Sequence, residues 1–180
     1  MSAVKKLCIC AMCAALCCIL PTAFHAFGNQ VAAAASPMHF PVLLCGLICG
    51  WSYGGVCGLI GPLLALLVTG KPMPPRIFYM AAELISYGVL TGLFMKYIRT
   101  GRTYLDLYCA LIPAMLLGRL VGGLVEALVL GNGFFTFFVG SYLVGTAPGA
   151  VAQLVVIPAL YLALTAFGLI PAWYERVSTR

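Results

Sequence analysis

Glu83, Arg119 and Glu126 are the residues of this chain best placed to do chemistry, because each falls inside a long apolar run. A charged side chain at the centre of a bilayer costs at least about 2.5 kcal/mol, so such groups face a water-accessible cavity or pair with one another. On a helix, positions 119, 122, 123 and 126 share one face. Arg119, Gly122, Gly123 and Glu126 therefore point the same way, and the glycines leave space beside the charges. Two arrangements satisfy these groups: a structural Arg–Glu pair between neighbouring helices, or charges on the wall of a pocket.

Further polar and aromatic candidates stand at helix ends and in the connections. They are Asn29, Gln30, His39, Tyr79, Tyr87, Asn132 and Gln153, with Phe134, Phe135, Phe137, Phe138 and Tyr142. Aromatic rings with a few polar groups suit a small, flat, partly polar ligand. Aromatics at an interface are also ordinary membrane anchors. A buried glutamine such as Gln153 serves an interhelical hydrogen bond equally well, and His39 serves equally as the cap of its helix.

Catalytic patterns are absent from the sequence. It has no His-Glu-x-x-His zinc motif, no Gly-x-Ser-x-Gly elbow and no Asp/His cluster suited to intramembrane hydrolysis. A Walker A lysine loop is also missing, so this chain is not expected to use ATP itself. The nine cysteines follow no metal-binding or disulfide spacing. Cys8, Cys10, Cys13, Cys17 and Cys18 lie on one apolar segment, where thiols act as small packing residues. No catalytic residue, metal site or resident cofactor is expected.

The elements that must position these groups are membrane helices. The chain is 63% hydrophobic and 8% charged, with mean hydropathy +1.09, against roughly 25% charged residues in a soluble domain. Lys, Arg, Asp and Glu are all missing between Lys6 and Lys71. The expected fold is an all-α membrane protein, a compact single-domain bundle of six transmembrane helices over residues 1–180. Its spans are about Leu7–Phe27, Phe40–Trp51, Tyr53–Thr69, Ile77–Tyr97, Leu105–Leu130 and Val144–Ile170. The breaks are Pro37 and Pro41, a tight interfacial turn at Trp51-Ser52-Tyr53-Gly54-Gly55, the Pro72-Met73-Pro74-Pro75 turn, Gly101, and Gly131-Asn132-Gly133. The second span is too short for a full crossing at 1.5 Å per residue, so it is either partial or continuous with the third. Gly46, Gly50, Gly54 and Gly58 are read as internal packing positions, and His39 is placed at the outer surface.

Orientation follows from the Lys and Arg of short connections. Lys5, Lys6, Lys96, Arg99, Arg102, Arg176 and Arg180 fall on one side, and Lys71 and Arg76 on the other. Both termini are therefore expected in the cytoplasm. The net charge of +6 is accounted for by topology, and a nucleic-acid partner is not expected. Lys5-Lys6, the apolar run and Val31–Ser36 also resemble a cleavable secretory signal. Cleavage would leave five spans and move the C-terminus relative to the first remaining loop, so a retained first span is the expectation. On that span Ala11 and Ala15 form a small-xxx-small face, suited to close approach of another helix, inside this chain or on a partner.

Several runs together resemble the substrate-binding S components of energy-coupling factor (ECF) transporters. They are Met38-His39-Phe40-Pro41 through Gly50, Tyr53-Gly54-Gly55, Gly58-Leu59-Ile60-Gly61-Pro62-Leu63-Leu64, Met80-Ala81-Ala82-Glu83-Leu84 with Tyr87-Gly88, and Gly118-Arg119-Leu120-Val121-Gly122-Gly123. Ala11-x-x-x-Ala15 resembles the motif by which such subunits dock on the coupling protein. Each motif is loose, and their order carries the weight. The resemblance implies a vitamin- or micronutrient-binding subunit in a prokaryotic cell membrane, surrounded by lipid. It implies a transmembrane coupling subunit and two cytoplasmic ATPases as partners, with ATP used only by the latter. By position, it implies pocket residues among Asn29, Gln30, His39, Glu83, Tyr87, Arg119, Glu126, Asn132 and Gln153. Ligands with amine or amide donors, a carboxylate as in pantothenate, or a stacking ring as in riboflavin all stay open. The competing expectation is a stand-alone secondary transporter or channel without ATPase partners.

Overall fold

The computed structural model describes residues 1–98, 100–131 and 147–170, with the backbone only at 29, 31 and 33. Regular structure among them is entirely helical: α1 Ala3–His25, α2 Asn29–Ala35, α3 His39–Cys49, α4 Trp51–Thr69, α5 Arg76–Tyr97, α6 Thr103–Leu130 and α7 Ala147–Ala166. Helices α1, α4, α5, α6 and α7 are long and apolar enough to cross a membrane. With 11 residues, α3 rises roughly 16 Å, about half of a hydrocarbon core. The short second span expected from the sequence is therefore a half-length helix, distinct from the third.

One residue joins α3 to α4. Gly50 adopts φ 95 and ψ 174, a backbone conformation that only glycine enters without a steric penalty. This corrects the turn expected at residues 51–55, which lie inside α4. Gly54 serves a different purpose. A Cβ there would run into the carbonyl oxygen of Gly88 on α5 and the Cα of Gly46 on α3. Three backbones thus meet at Gly46, Gly54 and Gly88, as small residues allow between membrane helices. Asp106, in the first turn of α6, is fully buried and accepts hydrogen bonds from Thr100 N and Oγ1 at 2.7 Å. It anchors the turn between α5 and α6.

Two thiol hydrogen bonds fix the depth of α3. Cys49 Sγ donates to the Lys6 carbonyl and Cys17 Sγ to the Met38 carbonyl, so α3 runs antiparallel beside the first two-thirds of α1. His39 accordingly starts its helix deep in the bundle, which corrects its expected place at the outer surface. Residues 26–38, including α2, fold back into the bundle to reach that depth, and α2 packs between α1 and α7. Irregular backbone at membrane depth is tolerated where protein buries it or where it borders a water-filled cavity. Here it borders a cavity.

The cysteines form a group that linear spacing does not reveal. The Sγ atoms of Cys10, Cys45 and Cys57, from α1, α3 and α4, lie within 4.8 Å of one another and all three residues are buried. Cys10 and Cys45 both donate to the Tyr53 carbonyl, at 3.5 and 3.7 Å. These thiols fill a tight interface between the three helices.

Candidate functional site

A cavity of about 850 Å³ occupies the end of the bundle where α1, α4 and α6 finish and α5 begins. Its mouth carries Lys71, Met73 and Arg76, and its walls are built from Thr22, His25, Ser36, Thr69, Tyr79 and Met80. At greater depth it reaches His39, Glu83 and Arg119, and Glu126 lines it nearer the end of α6. Arg119 precedes the end of α6 by eleven residues, which places it roughly 16 Å below that end. Polar groups at such a depth, enclosed by apolar helices, are the usual lining of an intramembrane site.

The floor is a chain of polar contacts. Arg119 Nε donates to Tyr87 Oη at 3.1 Å, and Tyr87 Oη donates to Glu83 Oε1 at 2.7 Å. His39 Nε2 stands 3.3 Å from the same Glu83 oxygen, with its ring 5.1 Å from that of Tyr87. His39 Nδ1 lies 3.0 Å from the Ser36 carbonyl. A carbonyl only accepts, so Nδ1 carries a proton. His39 Nε2 faces that Glu83 oxygen without completing a hydrogen bond with any described residue.

Local structure explains how each group arrives there. Glu83 and Tyr87 are one helical turn apart on α5, hence on one face. Gly118 on α6 has no side chain because the Tyr87 ring fills the space a Cβ would need. Ser36 takes φ 46, ending α2 and turning its carbonyl to the His39 backbone N–H and ring. The same carbonyl accepts from Gln153 Nε2 at 3.5 Å.

Glu126 differs from Glu83. It lies two turns above Arg119 on α6, is 4% exposed and lines the cavity. Its Oε2 has no hydrogen-bond partner among the described residues. Arg76 and Glu83 are the charged groups whose fields reach it.

The expected candidates thus separate by position. His39, Glu83, Arg119 and Glu126 come together in the cavity, along with Tyr79. Tyr87 is fully buried behind Glu83 and Gln153 is fully buried on α7, so both support the site from outside its wall. Gln30 is exposed on α2 and does not reach the cavity; Asn29 opens that helix. Asn132, Phe134, Phe135, Phe137, Phe138 and Tyr142 lie outside the described residues. Thr22, His25, Ser36 and Thr69 were not anticipated. Lys71 and Arg76 were legible as charges, but their sequence signal concerned orientation and gave no hint of a cavity mouth.

No curated protein and no solved structure matches the chain. The sequence model of one family, described as "ECF transporter, substrate-specific component", matches residues 5–175. That match covers nearly the whole chain, all or nearly all of every helix described above, and His39, Glu83, Arg119 and Glu126 of the cavity. This multi-pass helical membrane protein belongs to the family of substrate-specific components of ECF transporters, which are transport subunits and act with coupling and ATPase subunits on a small-molecule substrate.

Proposed function

We propose that this chain is the high-affinity capture subunit of an ATP-driven importer for a vitamin or another micronutrient, in a prokaryotic cell membrane. The polar cavity deep in an otherwise apolar bundle carries the proposal. Its 850 Å³ is within the range of small-molecule sites, roughly 300–1,000 Å³. The seven-to-two distribution of Lys and Arg supports cytoplasmic termini, which puts the cavity mouth outside. Substrate enters there and is released inside once the coupling and ATPase subunits engage.

Docking is assigned to α1. Ala11 and Ala15 are exposed on it, next to the exposed Cys8. A face this small lets a helix of the coupling subunit approach closely. Co-expression with a coupling subunit and two ATPases tests the proposal. The complex is expected to co-purify and to take up substrate only with ATP, and Ala11→Trp with Ala15→Trp is expected to abolish co-purification while the isolated subunit retains its ligand. Uptake by this chain alone in ATP-free vesicles would instead establish a stand-alone secondary transporter.

A further inference from the structure

We propose that the cavity recognises its substrate through a cationic nitrogen group, an ammonium or amidinium, held between Glu126 and Glu83. This deepens the capture reading and rests on it. Three observations lead to a cation with N–H donors. First, two carboxyl groups line one cavity, Glu83 seven residues into α5 and Glu126 four residues before the end of α6, and the field of Glu83 reaches Glu126. Like-charged groups in a poorly solvated space are stabilised by a cation placed between them.

Second, Glu126 Oε2 is buried and accepts no hydrogen bond from the described residues. A buried acceptor without a donor costs about 1–3 kcal/mol, and no donor from the described residues supplies it. Glu126 lines the cavity, so a donor on a bound molecule can reach its carboxyl group. Third, the deep cation is already engaged: Arg119 donates through Nε to Tyr87 and takes part in further contacts. A substrate carboxylate would have to compete for it. The remaining cations, Lys71 and Arg76, stand at the exposed mouth. They disfavour a second positive charge on the outer end of the ligand and leave a place for an acidic or polar substituent there. The molecule so described is small, carries one cationic nitrogen group at its inner end, and enters that end first.

Benzamidine and benzoate are planar probes of nearly equal size that differ in the sign of the charged group. Ligand-observed saturation-transfer NMR on the purified full-length chain in lipid nanodiscs compares them without any substitution. Benzamidine is expected to bind and benzoate to bind about tenfold more weakly, the discrimination one charge-assisted hydrogen bond supplies. Glu126→Gln, isosteric with the native residue, is expected to weaken benzamidine by a similar factor. Glu83→Gln provides a second variant, and thermal unfolding midpoints show whether each variant is folded. Benzoate binding equal to or tighter than benzamidine overturns the proposal, as does absence of benzamidine binding or unchanged affinity in a folded Glu126→Gln. Co-purification with the ATPase module separates the two levels. If it persists while benzamidine fails, the ligand class is wrong and the importer stands. If benzamidine binds but no complex forms, the importer reading is wrong.

Discussion

At the scale of single residues, Tyr87 and Gln153 make an instructive pair, because both are fully buried polar side chains close to the cavity. Tyr87 Oη receives a hydrogen bond from Arg119 and gives one to Glu83, so it keeps a cation and a carboxyl in register without exposing either to lipid. Tyr87→Phe removes both bonds and leaves both partners in place. A loss of about 1–3 kcal/mol is expected, measured as a lower thermal midpoint in detergent, together with weaker ligand retention. An unchanged midpoint would mean that Arg119 and Glu83 meet directly once the hydroxyl is gone. Gln153 is less committed. Its bond to Ser36 O is at the 3.5 Å limit, and its Oε1 has no partner among the described residues. Gln153→Met replaces a poorly satisfied amide by an apolar chain of similar length, so stability should change by less than about 1.5 kcal/mol. A large loss would show that the link from α7 to Ser36 helps to hold His39 in position.

At the scale of elements, the half-length α3 and the backbone contacts around it decide where the site can form. Gly54 of α4 and Gly88 of α5 touch through their backbones, and a Cβ on Gly88 would collide with the Gly54 carbonyl. Neither neighbour is a flexible side chain, so the helices themselves must separate. Gly88→Ala is expected to cost about 1–3 kcal/mol and to displace Tyr87 and Glu83, which lie within two turns on the same helix. The readout is a lower thermal midpoint with weakened ligand retention; a native midpoint would show that α4 and α5 can slide apart freely. Much of this framework was legible in the sequence. Apolar length identified the long spans, prolines and glycines identified most breaks, and charges inside apolar runs identified Glu83, Arg119 and Glu126. Gly50 was harder to separate from its neighbours, because a hinge glycine and a packing glycine look alike until the backbone angle is known. Likewise, nothing local tells that residues 26–38 fold back into the bundle. That depends on α3 being too short to reach the surface on which α1 ends, and it is what brings Ser36 and His39 to a charge cluster made by α5 and α6. The thiols of Cys10, Cys45 and Cys57 meet for the same reason: long-range helix packing sets their contact, and spacing along the chain is silent about it.

At the scale of the whole molecule, everything proposed for transport depends on which side of the membrane the cavity faces. Lys71 and Met73 of the 70–75 connection lie at the mouth, whereas Arg102 lies at the other end of the bundle, just before α6 begins. The excess of Lys and Arg at the Arg102 end favours the cytoplasm for that end. Site-directed thiol labelling tests this with little background once Cys8, Cys109 and Cys18 are replaced by Ala, because the first two are exposed, the third is half-buried on the cavity wall, and the other six cysteines are buried. In that background Met73→Cys, at a position 67% exposed, is expected to react with a membrane-impermeant maleimide in intact bacterial cells. Arg102→Cys is expected to react only after the membrane is opened. Removing one of several positive charges at that end leaves the majority intact, so the substitution itself should not invert the chain. The opposite pattern would place the mouth in the cytoplasm. A cavity open to the cytoplasm at rest cannot scavenge a scarce external nutrient, and Lys71 and Arg76 would then screen molecules leaving the cell. Import, and with it the preference for an amine-bearing nutrient, therefore requires that Met73 be labelled from outside.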